Sequence, residues 1–224
     1  MSLHLQRDLE ALKKEILQLG NLVETAIHSA ISALNNREVA LADRVMELEE
    51  EINDKEVHIE EECLKVLALH QPVAVDLRFI VAVLKVNNDL ERMGDFAKNI
   101  AKRAIHLATL PPLAMFQGFT NELPILVRSM VRKSLDALVS LDVELARNVI
   151  NMDDRVDEIN RRMYEEVQAA IHREVNNTEV AMNLLSTSRY MERIADLSTN
   201  IAEDVVFMVE GKVVRHIDTD ITDD

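Results

Sequence analysis

The sequence predicts an all-α protein built as two tandem three-helix bundles. Three observations lead there: a composition of helix formers, long apolar runs at helical spacing, and an eleven-residue segment written twice. The 224 residues include 4 Gly, 4 Pro, 2 Tyr and no Trp, while 48% are apolar and 29% charged. Strands draw on aromatic and β-branched residues and their turns on glycine and proline, so a β fold lacks material here. Ala, Leu, Glu, Met, Arg and Lys favour helix. The length suffices to bury a core as one domain or two.

The elements follow in order. A first helix is expected over 3–34, where Leu5, Leu9, Leu12, Ile16, Leu19, Val23, Ile27 and Ile31 recur at spacings of three and four. Asn35 and Asn36 are expected to break it and cap the next helix. The second helix runs to about Leu69 through Leu41, Val45, Leu48, Ile52, Ile59 and Val66, and Pro72 marks the turn after it. A third is expected from Val75 or Asp76 to Ala108, completing a first bundle over 1–110. The stretch "LPPLAMFQGFTNELP" supplies a linker at 111–121. A fourth helix is expected over 122–141, a fifth capped by Asp142 to about Glu174, and a sixth to about Val209, giving a second bundle over 122–211. Residues 212–224 form an acidic tail. Short connections force neighbouring helices to pack antiparallel.

The duplication is visible as a register. "ERMGDFAKNIA" at 91–101 and "ERIADLSTNIA" at 192–202 share six of eleven residues, so Glu91/Glu192, Asp95/Asp196 and Asn99/Asn200 each differ by 101. Upstream, "LADRVMELEEEIND" at 41–54 echoes "LARNVINMDDRVDE" at 145–158, and Glu49/Asp153 and Asn53/Asp157 differ by 104.

Acid pairs four residues apart mean little by themselves, because 40 acids in 224 residues supply about seven by chance. On a helical wheel, Asp95 and Asn99 fall about 40° and 80° from Glu91, opposite the apolar Met93, Phe96, Ala97 and Ile100. That stripe points away from the core of its own bundle, as a solvated face would. Two facts raise its weight. The stripe recurs at identical spacing, and the preceding helix of each half carries its own pair, Glu49 with Asn53 and Asp153 with Asp157. Four or five oxygens gathered without a balancing lysine cluster repel one another unless a cation joins them. Oxygen ligands suit Mg²⁺, Mn²⁺ or iron first, with Zn²⁺ or Ca²⁺ as further options. Arg92 and Arg193 could instead pair with acids of neighbouring helices in a structural network.

Other classes are weaker. The formal charge of −15 argues against nucleic acid, whose phosphates need a cationic face. None of the seven histidines has an acid three residues before it, so the Glu-x-x-His motif of di-iron bundles is missing. The four dispersed glycines build no phosphate loop. Cys63 stands alone in an apolar helical pattern, which predicts a buried thiol and a reducing compartment. The start carries Arg7 and Asp8 where a signal peptide needs an apolar run, and no segment suits a membrane span, so a cytoplasmic protein is expected.

The repeated Glu-Arg-x-x-Asp-x-x-x-Asn segments, the stretch "QPVAVDLRFIVAVLKVNNDLERMGDFAKNIA" and the duplicated three-helix plan together resemble the PhoU family of bacterial phosphate-uptake regulators, over about residues 3–211. The resemblance implies a non-enzymatic regulator that restrains phosphate uptake and phosphate-response signalling. It further implies surface metal ions held by paired E(D)-x-x-x-D motifs. Carried over, the ligand candidates are Glu49, Asn53, Glu91, Asp95 and Asn99, then Asp153, Asp157, Glu192, Asp196 and Asn200. Asn53 stands where the motif has an acid, which favours the second half as the better site. Asp76 and Arg78 have no match in the second half, so any role they have belongs to the first. The implied partners are the ATPase subunit of a phosphate importer and the sensor histidine kinase of the phosphate response, and a homodimer is expected. A metal-dependent helical-bundle enzyme and a metal-free structural adaptor are the alternatives.

Overall fold

Two three-helix bundles, joined along α3 and α6, form the molecule. The computed structural model describes residues 3–111 and 117–212, without the side chains of 117–121. The helices are α1 (Leu3–Asn36), α2 (Val39–His70), α3 (Ala74–Ala108), α4 (Gln117–Ser140), α5 (Val143–Arg173) and α6 (Thr178–Glu210), with a 3₁₀ turn at Val175–Asn177. No strand occurs among the described residues. Linker residues 112–116 and tail residues 213–224 lie outside them.

The apolar stripes expected from spacing are the buried ones. Leu12, Ile16, Leu19, Val23, Ile27 and Ile31 of α1 pack against Val45, Leu48, Ile52 and Ile59 of α2 and Leu90, Met93 and Ile100 of α3 in one continuous core. The second bundle repeats this with Val127, Met130, Val156, Met163, Ile194 and Ile201. Stripes this wide leave each helix marginal alone and stable only when packed.

Two boundaries differ from expectation. Asn35 and Asn36 finish α1 rather than cap α2, and the chain turns at Arg37, with φ 59°, into an N-cap Glu38 that makes no side-chain cap. A tertiary anchor holds this turn: Arg37 Nη2 donates to Leu107 O at 2.6 Å and also to Leu110 O, binding carbonyls at the end of α3. Secondly, α4 starts at Gln117 and carries Pro124 inside it. Pro124 is buried beside the core residues Leu123 and Val127, so packing offsets its missing N–H. Asp142 caps α5 as expected, its Oδ1 accepting from Leu145 N at 3.0 Å.

The direction of the α3/α6 packing can be read from its contacts. Lys85 meets Asp204 at 3.1 Å, Phe96 stacks on Tyr190, and Arg103 donates to Asn183 Oδ1 at 3.0 Å. At the far end His106, a surface residue as expected, pairs with Glu179 at 2.9 Å. Numbers rise on one helix as they fall on the other, so α3 and α6 run antiparallel. The repeated acid segments are therefore the middles of the two helices that hold the halves together.

Candidate metal centres

Each half gathers acids along the seam between its second and third helices. In the second half, Asp153 and Asp157 rise from α5 beside Glu192 and Asp196 of α6. Asp157 and Asp196 are exposed, while Asp153 and Glu192 are half-buried, so the stripe points outward but its base is sheltered. Burial first, then the charges of Asp196 and Asp157, pushes the Asp153 carboxyl up to about 6. The Thr199 hydroxyl partly opposes that rise, yet neither Asp153 Oδ1 nor Thr199 Oγ1 has a partner in hydrogen-bond geometry. Although Asp196 is exposed as a residue, desolvation of its carboxyl and then the neighbouring Asp157 charge push it up as well, against Arg193. Glu192 is raised by burial and by Asp196 and Asp157, and its Oε2 accepts from Asn160 Nδ2 at 2.7 Å.

The first half uses matched positions differently. Glu49 is buried, and Lys98 Nζ lies 2.7 Å from its Oε1. Asn53 Nδ2 donates to the same Oε1 at 3.0 Å. Burial raises the Glu49 carboxyl, but the hydrogen bonds from Lys98 and Asn53 outweigh it and hold the group below the ordinary range. This corrects the expectation of acids without a balancing lysine. Lys98 falls about 20° from Glu91 on the wheel, on the same stripe as the acids, and turns back over α2, a reach that its long stem allows. Glu91 is raised by burial, then by Asp95, Glu56 and Glu49.

Residues absent from the sequence reading complete both groups. Glu56 follows Asn53 by three positions and accepts from Asn87 Nδ2 at 3.1 Å; its matched residue is Asn160, which accepts from Ser188. The spacing Glu49, Asn53, Glu56 on one helical face was the available signal. Asn99 and Asn200 make no hydrogen bond to the acids. Arg92 and Arg193 make no ion pair among the described residues, contrary to the network considered above. One residue beyond the glutamate is about 100° round the helix, and Arg193 instead lies over the Phe96 ring at 6.0 Å. Asp76 occupies the first turn of α3, and Arg78 reaches toward Gly211 at the end of α6, both apart from the acids.

Among the described residues, no three acid, histidine or cysteine side chains converge on one ion position in this conformation. The donor set nonetheless fits a hard cation in the second half, where two buried oxygens lack partners and the carboxylates raise one another.

The PhoU domain family matches residues 16–104 and 122–205, one stretch in each half. The chain belongs to the PhoU family. A phosphate-specific transport system accessory protein PhoU homolog from Aquifex aeolicus is 39% identical over 210 residues, covering 94% of this chain and 95% of that protein. The homolog of the same name from Pseudomonas aeruginosa is 35% identical, covering 94% and 87%. The crystal structure of PhoU from Pseudomonas aeruginosa matches with a TM-score of 0.90 at 34% identity, over 92% of this chain and 99% of that one. The phosphate transport system regulatory protein PhoU from Streptococcus pneumoniae matches with a TM-score of 0.83 at 26% identity, over 94% and 99%. The tandem PhoU bundle is thus the fold of this chain, and both acid groups lie within the matched stretches. No helix among the described residues is long and apolar enough to cross a membrane.

Proposed function

We propose that this chain is a non-enzymatic accessory of a phosphate-specific transport system, restraining phosphate uptake and the signalling linked to it. The observation that carries this is likeness along nearly the whole chain, 94% of it, to a relative named as a phosphate-specific transport system accessory protein. The partners in this reading are the importer's ATPase subunit and the sensor histidine kinase of the phosphate response, with the chain acting in the cytoplasm as a homodimer. The formal charge of −15 supports protein partners over nucleic acid.

Metal binding belongs to the same reading. Asp153, Asp157, Glu192 and Asp196 would hold an ion in the second half, with Asn200 at the rim. Glu49, Asn53, Glu91 and Asp95 would do so in the first, with Asn99 at the rim and Glu56 as an added candidate. Oxygen donors favour Mg²⁺, Mn²⁺ or iron. When bound, an ion supplies positive charge that the acids lack and open positions at which an anion could be held. The protein's part is to fix the acids on two rigid helices per half and to shelter Asp153 from solvent screening.

Three measurements test this. Protein purified without chelator should retain metal by elemental analysis, and the variant D95N/D196N should lose it. Purified importer ATPase should be captured by the metal-loaded protein and released when the metal is stripped. Unchanged phosphate uptake in host cells lacking the protein would overturn the regulatory role.

A further inference from the structure

The two centres are not interchangeable, and the difference lies in one side chain that approaches each from the third helix of its bundle. In the first half, Glu49 Oε1 receives both Lys98 Nζ at 2.7 Å and Asn53 Nδ2 at 3.0 Å. The Glu49 side chain is only 7% exposed, so this pair is weakly screened by solvent. In the second half the matched residues are Asp153, Thr199 and Asp157, and none carries a positive charge. The matched oxygen, Asp153 Oδ1, is buried and has no partner, as is Thr199 Oγ1.

The surrounding charges do not cancel this contrast. Each centre carries four acids, Glu49, Glu56, Glu91 and Asp95 against Asp153, Asp157, Glu192 and Asp196. Arg92 and Arg193 occupy matched positions and balance. Lys102 adds a further cation near Glu49, where the second half has Glu203. Arg189 acts on Glu192 from an exposed position.

We propose that Lys98 is a tethered counter-cation of the first centre, making that half a weak divalent-cation site, while Thr199 leaves the second open as the tight one. This rests on the metal-binding reading above. An ammonium group and a divalent ion compete for the same Glu49 oxygen, and loading the ion means breaking a buried ion pair and rehousing the lysine. Threonine is neutral and short, and its hydroxyl oxygen is itself a donor that hard cations accept. The Lys98/Thr199 difference, reinforced by Lys102 against Glu203, thus separates a self-neutralised centre from one that requires a metal.

Equilibrium dialysis of chelator-stripped protein against Mn²⁺ reads the number and affinity of sites, and Asp95→Asn and Asp196→Asn assign each to its half. Wild-type protein is expected to bind Mn²⁺ at least about tenfold more tightly in the second half than in the first. Lys98→Thr should raise the first half toward the affinity of the second, and Lys98→Arg should leave it weak. Thr199→Lys should weaken the second half alone. Melting by circular dichroism checks each fold, and Lys98→Met keeps the apolar stem should Lys98→Thr unfold. Equal affinities in the wild-type halves would overturn the role of the lysine while leaving metal binding intact, as would a first half unmoved by both neutral variants. Absence of Mn²⁺ from both halves would overturn the metal reading and this inference with it.

Discussion

The ring of Phe96 in α3 stacks on that of Tyr190 in α6, with centroids 6.0 Å apart and planes inclined by 24°. Phe96 follows Asp95 directly, and Tyr190 precedes Glu192 by two residues, so the contact ties the two acid segments to each other. Arg193 lies over the same Phe96 ring. The half-buried pair sits midway along the α3/α6 seam, between Lys85–Asp204 and Arg103–Asn183. Replacing either ring with alanine should lower stability by about 2 kcal/mol in urea unfolding, less than for fully buried aromatics. The double variant should cost less than the sum, by about 1 kcal/mol, because one stacking contact is shared. Y190F should be near neutral. Strictly additive losses would mean that the rings do not cooperate.

Most of this architecture was legible because its causes are local. The α1 stripe from Leu5 to Ile31, the Asp142 cap and the 101-residue register all follow from spacing or from one side chain on its neighbouring backbone. The misread features depend on partners distant in sequence. Arg37 reaches carbonyls of residues 107 and 110, which no rule about Asn-Asn could anticipate. Pro124 is tolerated because its surroundings bury it. The same split runs through the acid groups. The helical wheel placed Asp95 and Asp196 correctly on an outward stripe, but it could not show that Lys98 folds back on Glu49. A lysine's position on a wheel fixes its Cβ, while its ammonium group can land anywhere within the reach of a four-carbon stem.

Asp153 makes metal-free stability depend on pH in a direction opposite to that of an ordinary paired carboxylate. Its folded-state value is raised from 3.8 to about 6. The folded state therefore holds that proton more tightly than the unfolded chain does. The associated stability is fully present below 3.8 and is lost as pH rises through about 6. Discounted for solvent screening, the loss is about 1 kcal/mol. In chelator-treated protein, D153N should therefore be more stable than wild type at pH 7, and the two should converge toward pH 4. Saturating Mn²⁺ should stabilise wild type and leave D153N nearly unmoved. Parallel pH–stability curves for the two metal-free proteins would reject this account of Asp153.

Cys63 should be chemically silent in the folded protein. It is completely buried in α2, and burial, followed by the charges of Glu60 and Glu62, pushes its thiol up to about 12. Thiolate is the reactive form, so at pH 8 both access and ionisation are denied. Iodoacetamide should label the urea-unfolded chain within minutes and the native protein only as fast as it opens. Native labelling at the rate of a free thiol would place Cys63 on an accessible surface.

Gly94 and Ile52 carry the clearest packing difference between the halves. A Cβ built on Gly94 would lie 3.1 Å from Ile52 Cδ1 and 3.2 Å from its Cγ2, so glycine here lets α3 approach α2 closely. The second half solves the same approach with Ala195 and Val156, both fully buried: the residue that gained a methyl group faces a position that lost one. Alanine at 94 would gain about 1 kcal/mol of helix propensity. Against that stands overpacking of about 2 kcal/mol in a core that cannot yield freely. G94A alone should therefore cost about 1 kcal/mol, and I52V alone about 1 kcal/mol for its deleted methyl. Combined, they recreate the pairing of the second half, and the double variant should return to wild-type stability. That corresponds to a favourable coupling of about 2 kcal/mol in a urea-unfolding cycle. If the two losses simply add, the close approach at Gly94 is not what distinguishes the two bundles.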